Sequence, residues 1–365
     1  MQSIRILEIP SAPAEQKPNI HERQNAIMEA KLNVGVIGCG MGRLHAQGVL
    51  KQEGACLYAL CDTDPDVLAN VGNELNVERR FTDYRDMIAD PAIGAVVIAS
   101  PDQLHREMIR DCLAAGKHIL CEKPLALTRE DIDDIVAMVR ASDRKFMVGQ
   151  ICRYTPGFAK AKERIDAGAI GELTFVESEY AHDYTHVFGR KGGSWRCDPV
   201  RNGVVGGGCH AVDLLRWIAG NPEEVMAYGV HKTFETLVPY DDTHIAVLKF
   251  PNGVIGKVFV SISCRRSYTM RSVFYGTRGT IIVDNTSPEM TLFRMDENDK
   301  TVTETIPLDI NNHNAAGEFR EFYDIIVNDK PVKTTVEEGA NTIAACLAIV
   351  DSANSGKLVQ PKYFA

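Results

Sequence analysis

Short apolar runs alternate with amphipathic segments between residues 32 and 150. The runs have the length and β-branched content of buried strands, and the segments between them repeat their apolar positions as helices do. The predicted strands cover residues 34–37, 57–61, 95–99, 118–121 and 146–148. The predicted helices cover residues 43–53, 65–75, 105–115 and 128–141. Strands and helices that alternate at this spacing are typical of a doubly wound parallel sheet, so the pattern predicts an α/β domain over residues 32–150.

Beyond residue 171 the pattern changes to longer strands with alternating apolar and polar positions. The predicted strands cover residues 173–180, 224–232, 243–250, 253–263, 271–275 and 280–283. Pro251, Asn252 and Gly253 between two of them are typical of a hairpin turn. Helices predicted at 156–167, 210–219, 315–328 and 336–355 are expected to frame this sheet. The pattern therefore predicts an α+β domain with an antiparallel sheet over residues 151–365.

Residues 1–31 precede the first strong strand and are interpreted as an extension. Their polar stretch and three prolines favour a disordered tail, whereas the apolar start at Ile4, Ile6, Leu7 and Ile9 favours an arm that packs on a neighbouring subunit. The stretch has no apolar core of a signal peptide, and no window of the chain approaches 18 uncharged apolar residues. We therefore expect neither export nor a membrane span.

Composition narrows the possible partners and the compartment. The 365 residues are 45% hydrophobic and 24% charged, and the net charge is −9. No run of basic residues offers a surface for phosphates, which argues against nucleic acid and anionic membranes as partners. The ten cysteines are scattered without a CxxC pair, and a reducing cytoplasm fits them best.

A glycine-rich turn follows the first predicted strand. Gly38, Gly40 and Gly42, with Met41 between the last two, open the first helix, where glycine backbone can approach a pyrophosphate. Asp62 ends the second strand, where a carboxylate would accept the ribose hydroxyls of NAD, and no basic residue beside it would hold the extra phosphate of NADP. The turn predicts NAD as cofactor. A tight turn without ligand is the alternative, and the Gly-x-Gly-x-Gly spacing leaves the role of the third glycine open.

Several further segments resemble one oxidoreductase family. They are residues 36–40 (VIGCG), 100–105 (SPDQLH), 115–125 (AGKHILCEKPL), 208–217 (GCHAVDLLRW) and 275–280 (YGTRGT). Together they resemble the family of glucose–fructose oxidoreductase, inositol dehydrogenase and rhizopine-catabolism proteins (Gfo/Idh/MocA) from about residue 32 to the C-terminus. The resemblance implies a Rossmann domain, a second domain with an open, mostly antiparallel sheet, and hydride transfer between a nicotinamide and the carbinol carbon of a sugar or cyclitol. The cofactor-binding residues that it implies, with those of the glycine turn, are Gly38, Gly40, Met41, Gly42, Asp62, Ser100, Pro101, His105, Glu122 and Lys123.

The same resemblance implies two catalytic residues. Lys123 of the Glu-Lys-Pro motif would lie by the nicotinamide and stabilise the developing alkoxide. His210 would contact the substrate and move its hydroxyl proton, a task that suits an imidazole near its ordinary pKa of about 6.5. Asp213 could orient His210 or serve a structural role. A solvated lysine and a core histidine are the alternatives for Lys123 and His210.

One position departs from the family pattern. Gly206 stands where family dehydrogenases often carry an Asp four residues before the histidine, so the substrate must find other partners. The candidate substrate-binding residues are Arg153, Asp183, Tyr184, Trp195, Arg196 and His210, with His182, His186 and Asp198 nearby. Trp195 could stack on a sugar ring or belong to a core, and Arg153 could bind substrate or form a structural ion pair. Cys197 and Cys209 with these histidines match no zinc spacing, so no metal is expected.

Three functions fit this sequence. The first is an NAD-dependent oxidoreductase that acts on a sugar, glycoside or cyclitol. The second is a glycosidase that uses NAD for transient oxidation, and the third is a cofactor-sensing regulator without catalysis, against which Lys123 and His210 argue. We also expect a homo-oligomer, because the second domain has too few helices to cover both faces of its sheet.

Overall fold

The computed structural model describes residues 31–189, 194–310 and 313–365. The predicted arm at residues 1–31 therefore lies, apart from its last residue, outside the described residues. Within them, no helix is both long enough and apolar enough to cross a membrane.

The first sheet has six parallel strands in the order β3-β2-β1-β4-β5-β6. The strands are β1 (Leu32–Ile37), β2 (Ala55–Cys61), β3 (Arg79–Phe81), β4 (Ala95–Ile98), β5 (His118–Glu122) and β6 (Phe146–Gly149). The helices are α1 (Gly42–Leu50), α2 (Pro65–Glu74), α3 (Tyr84–Ile88), α4 (His105–Ala114) and α5 (Arg129–Arg140). The doubly wound prediction is confirmed. The sequence pattern missed β3 and α3, since a three-residue strand with two arginines lacks an apolar run.

The second sheet has eight strands in the order β14-β13-β12-β11-β7-β10-β9-β8. They are β7 (Leu173–Ala181), β8 (Glu224–Val230), β9 (Thr243–Lys249), β10 (Ile255–Ser261), β11 (Arg271–Gly276), β12 (Gly279–Asp284), β13 (Glu289–Met295) and β14 (Thr301–Pro307). All neighbours pair antiparallel except β7 and β10, which pair parallel, so the sheet is mixed and mostly antiparallel as expected. The pattern missed β13 and β14. Strand β14 is a threonine-rich edge strand with only one buried residue, so its sequence lacks alternating apolar positions.

The described residues contain five further α-helices: α6 (Pro156–Asp166), α7 (Thr185–Phe188), α8 (Cys209–Ala219), α9 (Ala315–Val327) and α10 (Val336–Ser355). A π-helical turn at Val204–Gly208 leads into α8. Helices α6, α8 and α10 pack on one face of the second sheet, and α10 also contacts α5 of the first domain.

Helix α9 is the exception to the predicted frame. It packs against α1 of the first domain, where Phe319, Phe322 and Ile325 join the core with Val34 and Val36. The expectation that this helix frames the second sheet is therefore wrong. The sequence predicts the apolar face of this helix, but an apolar face does not indicate which sheet or helix it packs against.

Candidate active site

The glycine turn between β1 and α1 is built for close backbone approach. Gly38 has φ +87°, and a Cβ there would lie 2.5 Å from the carbonyl oxygen of Ala99. A Cβ on Gly42 would lie 2.8 Å from Cγ1 of Val36, so this third glycine lets α1 pack on β1. A Cβ on Gly40 would meet nothing within 4 Å. Gly40 therefore faces open space at the start of α1, where a pyrophosphate fits, and exposed Met41 lies beside it.

Asp62 closes this turn and lines the pocket next to it. Its Oδ2 accepts a hydrogen bond from the backbone N–H of Cys39 at 2.7 Å, and its Oδ1 accepts one from Asp64 at 2.9 Å. The adjoining cavity of about 310 Å³ is lined by Gly38, Asp62, Thr63, Thr82, Asp83, Arg85, Ser100, Pro101, Glu107 and their apolar neighbours. This cavity at the carboxyl ends of the strands fits the adenosine half of NAD, with Asp62 at the ribose.

Arg85 is a basic residue that lines the pocket at Asp62, and the sequence pattern did not predict it there. Its guanidinium is paired with Asp83 at 3.3 Å and with Glu107 at 2.7 Å. Both carboxylates lie at the same pocket. A second phosphate on the ribose would therefore meet three carboxylates, those of Asp62, Asp83 and Glu107, and one arginine already engaged.

His105 has a structural position. It is fully buried, with Nδ1 2.9 Å from the carbonyl oxygen of Pro124 and Nε2 3.2 Å from that of Ser100. Both ring nitrogens are therefore used by backbone, and His105 ties the Ser100 loop to the Glu-Lys-Pro segment. It reaches the cofactor site only through these two loops.

Glu122 is the last residue of β5, and Lys123 follows it directly. Glu122 is buried, and its Oε1 lies 2.7 Å from Nε2 of His45 while its Oε2 accepts the backbone N–H of Lys123 at 2.9 Å. Burial raises the pKa of Glu122, but the hydrogen bond and charge of His45 outweigh it and lower that pKa to about 2. Glu318 of α9 lies behind His45, with Oε2 3.8 Å from its Nδ1. Glu122 thus fixes the backbone that presents Lys123.

The ammonium of Lys123 is half-buried and has no ion pair with a described residue. Burial alone disfavours its charge, but Cys209, Glu122 and Asp102 together raise the pKa of Lys123 above its ordinary value. Lys123 is therefore a permanent cation at neutral pH, available to a developing oxyanion.

His210 is buried near the start of α8. Its Nδ1 lies 3.1 Å from Sγ of Cys152, and its ring stacks on Tyr180 with centroids 6.1 Å apart. Burial, and then the charges of Lys123 and His313, lower the pKa of His210 well below its ordinary value. The expectation of an unperturbed pKa near 6.5 is therefore wrong, and His210 is neutral at physiological pH.

A cluster of aromatic and imidazole rings surrounds His210. Tyr180 Oη lies 3.1 Å from Nδ1 of His182 and 2.9 Å from Oη of Tyr184, and the Tyr268 ring contacts those of Tyr180 and His182. The rings of His313 and His210 have centroids 5.8 Å apart. Burial lowers the pKa values of His182 and His313 to about 4. Of these residues the sequence named only His182 and Tyr184 as neighbours of the substrate.

Trp195 and Arg196 lie on a short turn that contacts the first domain. Gln103 donates hydrogen bonds to the Trp195 carbonyl at 3.0 Å and to Asp198 at 3.1 Å. The guanidinium of Arg196 lies 4.1 Å from the centroid of the Trp195 ring, and that of Arg201 lies 5.2 Å from it. Two cations therefore already lie by the ring that was expected to stack on a sugar.

Arg201 fills the place of the missing carboxylate. Its Nε donates to Oδ2 of Asp102 at 2.7 Å, and both side chains are buried. A Cβ on Gly206 would lie 2.1 Å from Cζ of this guanidinium, so no larger residue fits at 206 while Arg201 is there. Neither Asp102 nor Arg201 was nominated from sequence, although Asp102 lies in the 100–105 segment that carried the resemblance.

Arg153 and Asp213 form a buried ion pair with each other. Two nitrogens of Arg153 bind Asp213 at 2.9 and 2.7 Å, and Arg153 also binds Glu338 at 2.6 Å. Asp213 accepts a further hydrogen bond from Thr342. Asp213 therefore does not orient His210, and the structural alternative for Arg153 is the one that the geometry favours.

Asp183 lies at the rim of the cleft. Its carboxylate accepts hydrogen bonds from the backbone and hydroxyl of Thr185 and from Arg265 at 3.1 Å. Asp183 is thus already paired. The exposed His186 lies on the short helix α7, which begins two residues after Asp183. Over the described part of the chain, no three His, Cys, Asp or Glu side chains are arranged to hold a metal ion.

Comparisons with known proteins agree with this geometry. Residues 32–150 match the family described as an oxidoreductase family with an NAD-binding Rossmann fold, and residues 158–282 match the GFO/IDH/MocA C-terminal domain. Myo-inositol 2-dehydrogenase of Thermotoga maritima is 31% identical over 276 residues, which cover 73% of this chain and 79% of that protein. Levoglucosan dehydrogenase of Pseudarthrobacter phenanthrenivorans is 29% identical over 289 residues, or 69% of this chain and 73% of that protein.

A solved levoglucosan dehydrogenase in complex with NADH and levoglucosan is similar throughout. It has a TM-score of 0.83 and 26% identity, and the match covers 92% of this chain and 100% of that one. A second complex, with NADH and L-sorbose, has a TM-score of 0.84 and 25% identity over the same shares.

Proposed function

Because the chain belongs to the Gfo/Idh/MocA oxidoreductase family, we propose that it oxidises a secondary hydroxyl of a sugar, glycoside or cyclitol with NAD. The observation that carries the proposal is that Lys123, which has no ion pair among the described residues, lies near buried His210, whose pKa its charge helps to lower. NAD, when bound, supplies the acceptor for the hydride that leaves the carbinol carbon. The glycine turn and Asp62 would hold it, as the open space beside Gly40 and the pocket at Asp62 indicate.

His210 takes the hydroxyl proton in this proposal. The reaction needs a base because the carbinol oxygen loses its proton as the carbon is oxidised. His210 is unprotonated at neutral pH, and among the described residues its Nε2 has no hydrogen-bond partner while Nδ1 faces Cys152. Nε2 is therefore the atom of this chain that can accept the proton.

Lys123 holds the oxygen. Its ammonium stabilises the negative charge that develops on the carbinol oxygen, and a partly buried cation does this better than one in bulk water. Glu122 and His45 keep the backbone of Lys123 in place and do not touch the substrate. We therefore regard Glu122 and His45 as positioning residues.

The test is a pair of variants assayed by NADH absorbance on myo-inositol, levoglucosan and a panel of methyl glycosides. Lys123→Ala and His210→Ala should each lower turnover about 10²–10⁴-fold, since each removes one positioned catalytic group. NADH binding, followed by fluorescence, should change little. Exposed Lys51→Ala is the matched control for the lysine variant. Near-normal turnover of His210→Ala across the pH range would contradict the assignment, and redox-neutral release of nitrophenol from a nitrophenyl glycoside would favour the glycosidase alternative.

We also propose that the chain forms a homo-oligomer through the second sheet. The face of this sheet opposite α6, α8 and α10 exposes Tyr228, Val230, Ile245, Val247 and Ile255. Register places Tyr228 of β8 beside Ile245 of β9, and Lys257 and Lys249 lie beside Val247 and Ile255 on the same face. Such a patch on a folded domain is typical of a protein interface. Light scattering should show a dimer or larger at micromolar concentration, and Ile245→Glu with Val247→Glu should shift it toward monomer.

The compartment proposed is the cytoplasm. All ten cysteines are free thiols, and seven of the ten are buried in the cores of the two domains, as expected where thiols stay reduced.

A further inference from the structure

Arg196 is a cation without a counter-ion. Its side chain is half-buried, and its guanidinium makes no hydrogen bond or ion pair with any residue of the described ranges 31–189, 194–310 and 313–365. Burial and the neighbouring charge of Arg201 lower the pKa of Arg196. A partly buried charge of this kind destabilises the site until something of opposite sign lies against it.

The carboxylates around Arg196 already have other partners, and that of Asp198 accepts hydrogen bonds from Gln103 and from the backbone N–H of Val200. Asp102 binds Arg201, Glu122 binds His45, and Asp183 binds Arg265. Arg196 and Lys123 are therefore the two cations of the cleft that have no carboxylate among the described residues. Because the proposed function assigns Lys123 to the carbinol oxygen, Arg196 is the remaining cation without a partner.

The cleft also lacks the carboxylate that the family pattern would place at 206. Gly206 has no side chain, and the guanidinium of Arg201 occupies the space that a Cβ would need. The position that the family pattern gives to an acidic acceptor is therefore filled by a guanidinium that is already paired with Asp102. A neutral polyol, which gains from a carboxylate acceptor, would lose a partner here.

Arg196 and Lys123 lie near the same titratable groups. Both lower the pKa of His182 by their charge, and both interact electrostatically with Tyr184 and Asp102. The backbone of Arg196 is fixed from two sides, because Tyr240 donates a 2.6 Å hydrogen bond to its carbonyl and Gln103 holds the preceding residue. The Trp195 ring supports the guanidinium from below at 4.1 Å. These contacts hold the guanidinium of Arg196 in place beside the Trp195 ring.

We propose that the substrate carries a carboxylate, which Arg196 binds while Lys123 and His210 act at the hydroxyl. The substrate class is then a sugar acid or an acidic glycoside. One unpaired guanidinium matches a single negative charge, and its planar N–H groups match the two oxygens of a carboxylate. This inference rests on the proposed dehydrogenase function and narrows its substrate.

The test compares pairs of glycosides that differ only at C6. Methyl β-D-glucuronide and methyl β-D-galacturonide are assayed with NAD against methyl β-D-glucoside and methyl β-D-galactoside. A charge-assisted hydrogen bond contributes about 1.5–3 kcal/mol, so kcat/KM should favour the acid of at least one pair by roughly 10–150-fold. The preference should appear mainly in KM, and it should shrink as NaCl is raised from 0.05 to 0.5 M.

Variants at Arg196 assign the preference. Arg196→Gln should remove most of it, and Arg196→Lys should retain part, since the charge remains but the planar fork is lost. Arg294→Gln, an exposed arginine on β13, should leave the preference unchanged. NADH fluorescence titration and thermal melting of each variant check that the cofactor site and the fold persist.

The outcomes separate the two proposals. Oxidation of the neutral glycosides with no preference for the acids overturns the carboxylate inference and leaves the dehydrogenase function standing. A rise in KM for NAD in Arg196→Gln, with the acid preference intact, also overturns it and assigns Arg196 to the cofactor. If neither the glycosides nor myo-inositol and levoglucosan are oxidised, the proposed function fails, and the inference fails with it.

Discussion

The Sγ atom of Cys152 lies 3.1 Å from Nδ1 of His210 and 3.7 Å from Sδ of Met270. Burial raises the pKa of the Cys152 thiol well above its ordinary value, so the thiol keeps its proton. If that proton points to Met270, the sulfur can accept Nδ1–H of His210, and the lone pair of Nε2 is free for the substrate. We therefore propose that this thiol–thioether pair selects the tautomer of His210 that the proposed proton transfer needs.

Replacing Cys152 should reduce turnover through His210. Cys152→Ala removes the acceptor for Nδ1–H and should lower kcat about 3–10-fold with little change in KM, a loss of roughly 0.5–1.5 kcal/mol for one hydrogen bond. Cys152→Ser keeps an acceptor and should stay closer to wild type. Cys112→Ala, a buried thiol of α4, is the control for lost volume. Equal kcat in all three variants at every pH would show that Cys152 does not act on His210.

Substitutions at two glycines of the first turn should separate the effect on NADH binding from the effect on protein stability. Gly40→Ala places its Cβ in open space, so its Tm should match wild type while the Kd for NADH rises, because the methyl group occupies the approach of the pyrophosphate. Gly42→Ala brings its Cβ to 2.8 Å from Val36 and should lower the free energy of unfolding by about 1–3 kcal/mol. Thermal melting and NADH fluorescence measure the two effects. Unchanged NADH affinity in Gly40→Ala would exclude this turn as the pyrophosphate site.

Asp62 should determine the preference for NAD over NADP. Wild type should use NADP poorly, since a 2′-phosphate would meet Asp62, Asp83 and Glu107. Asp62→Ala should lower kcat/KM for NAD by roughly 10–100-fold, as expected for the loss of charge-assisted hydrogen bonds, and should narrow the gap to NADP. Asp66→Ala, an exposed acid in the first turn of α2, is the control. Equal efficiency of wild type with both cofactors would contradict this role.

Glu318 should make stability fall as the pH rises. Burial raises the pKa of Glu318 to about 8 from 4.5, so between these values the folded protein keeps a proton that the unfolded chain loses. The unfolded state then binds fewer protons, and the free energy of unfolding decreases with pH by at most about 1.4 kcal/mol per unit. The stabilisation is complete below pH 4.5 and is lost as the pH rises through 8. Glu318→Gln removes this slope.

Chemical denaturation at pH 5, 6, 7 and 8 measures that slope. The stability of Glu318→Gln relative to wild type should increase with pH, whereas exposed Glu235→Gln should run parallel to wild type. Parallel curves for Glu318→Gln would show that the carboxyl ionises normally in the folded protein.

The order of elements followed from local pattern. Buried strands such as Ala95–Ile98 and the capped helix Arg129–Arg140 carry their own periodicity and caps, and the glycine turn with Asp62 is a short-range motif. The same holds for Lys123, which the Glu-Lys-Pro segment identifies. These features need no knowledge of distant residues, because neighbours in the chain supply the hydrogen bonds and the burial pattern.

Partners that meet across the cleft could not be inferred in this way. Cys152 and His210 are 58 residues apart, and Asp102 and Arg201 are 99 apart. The sequence by itself determined both sheets apart from β3, β13 and β14, and its motifs and family resemblance predicted the glycine turn, Lys123 and His210 as site residues. Only the tertiary structure decided that His210 is neutral, that Asp213 belongs to Arg153, that Arg201 fills the space beside Gly206 and that Arg196 has no counter-ion. The burial of a side chain and its charge partners depend on residues that folding brings together from distant parts of the chain. A local sequence pattern therefore cannot predict them.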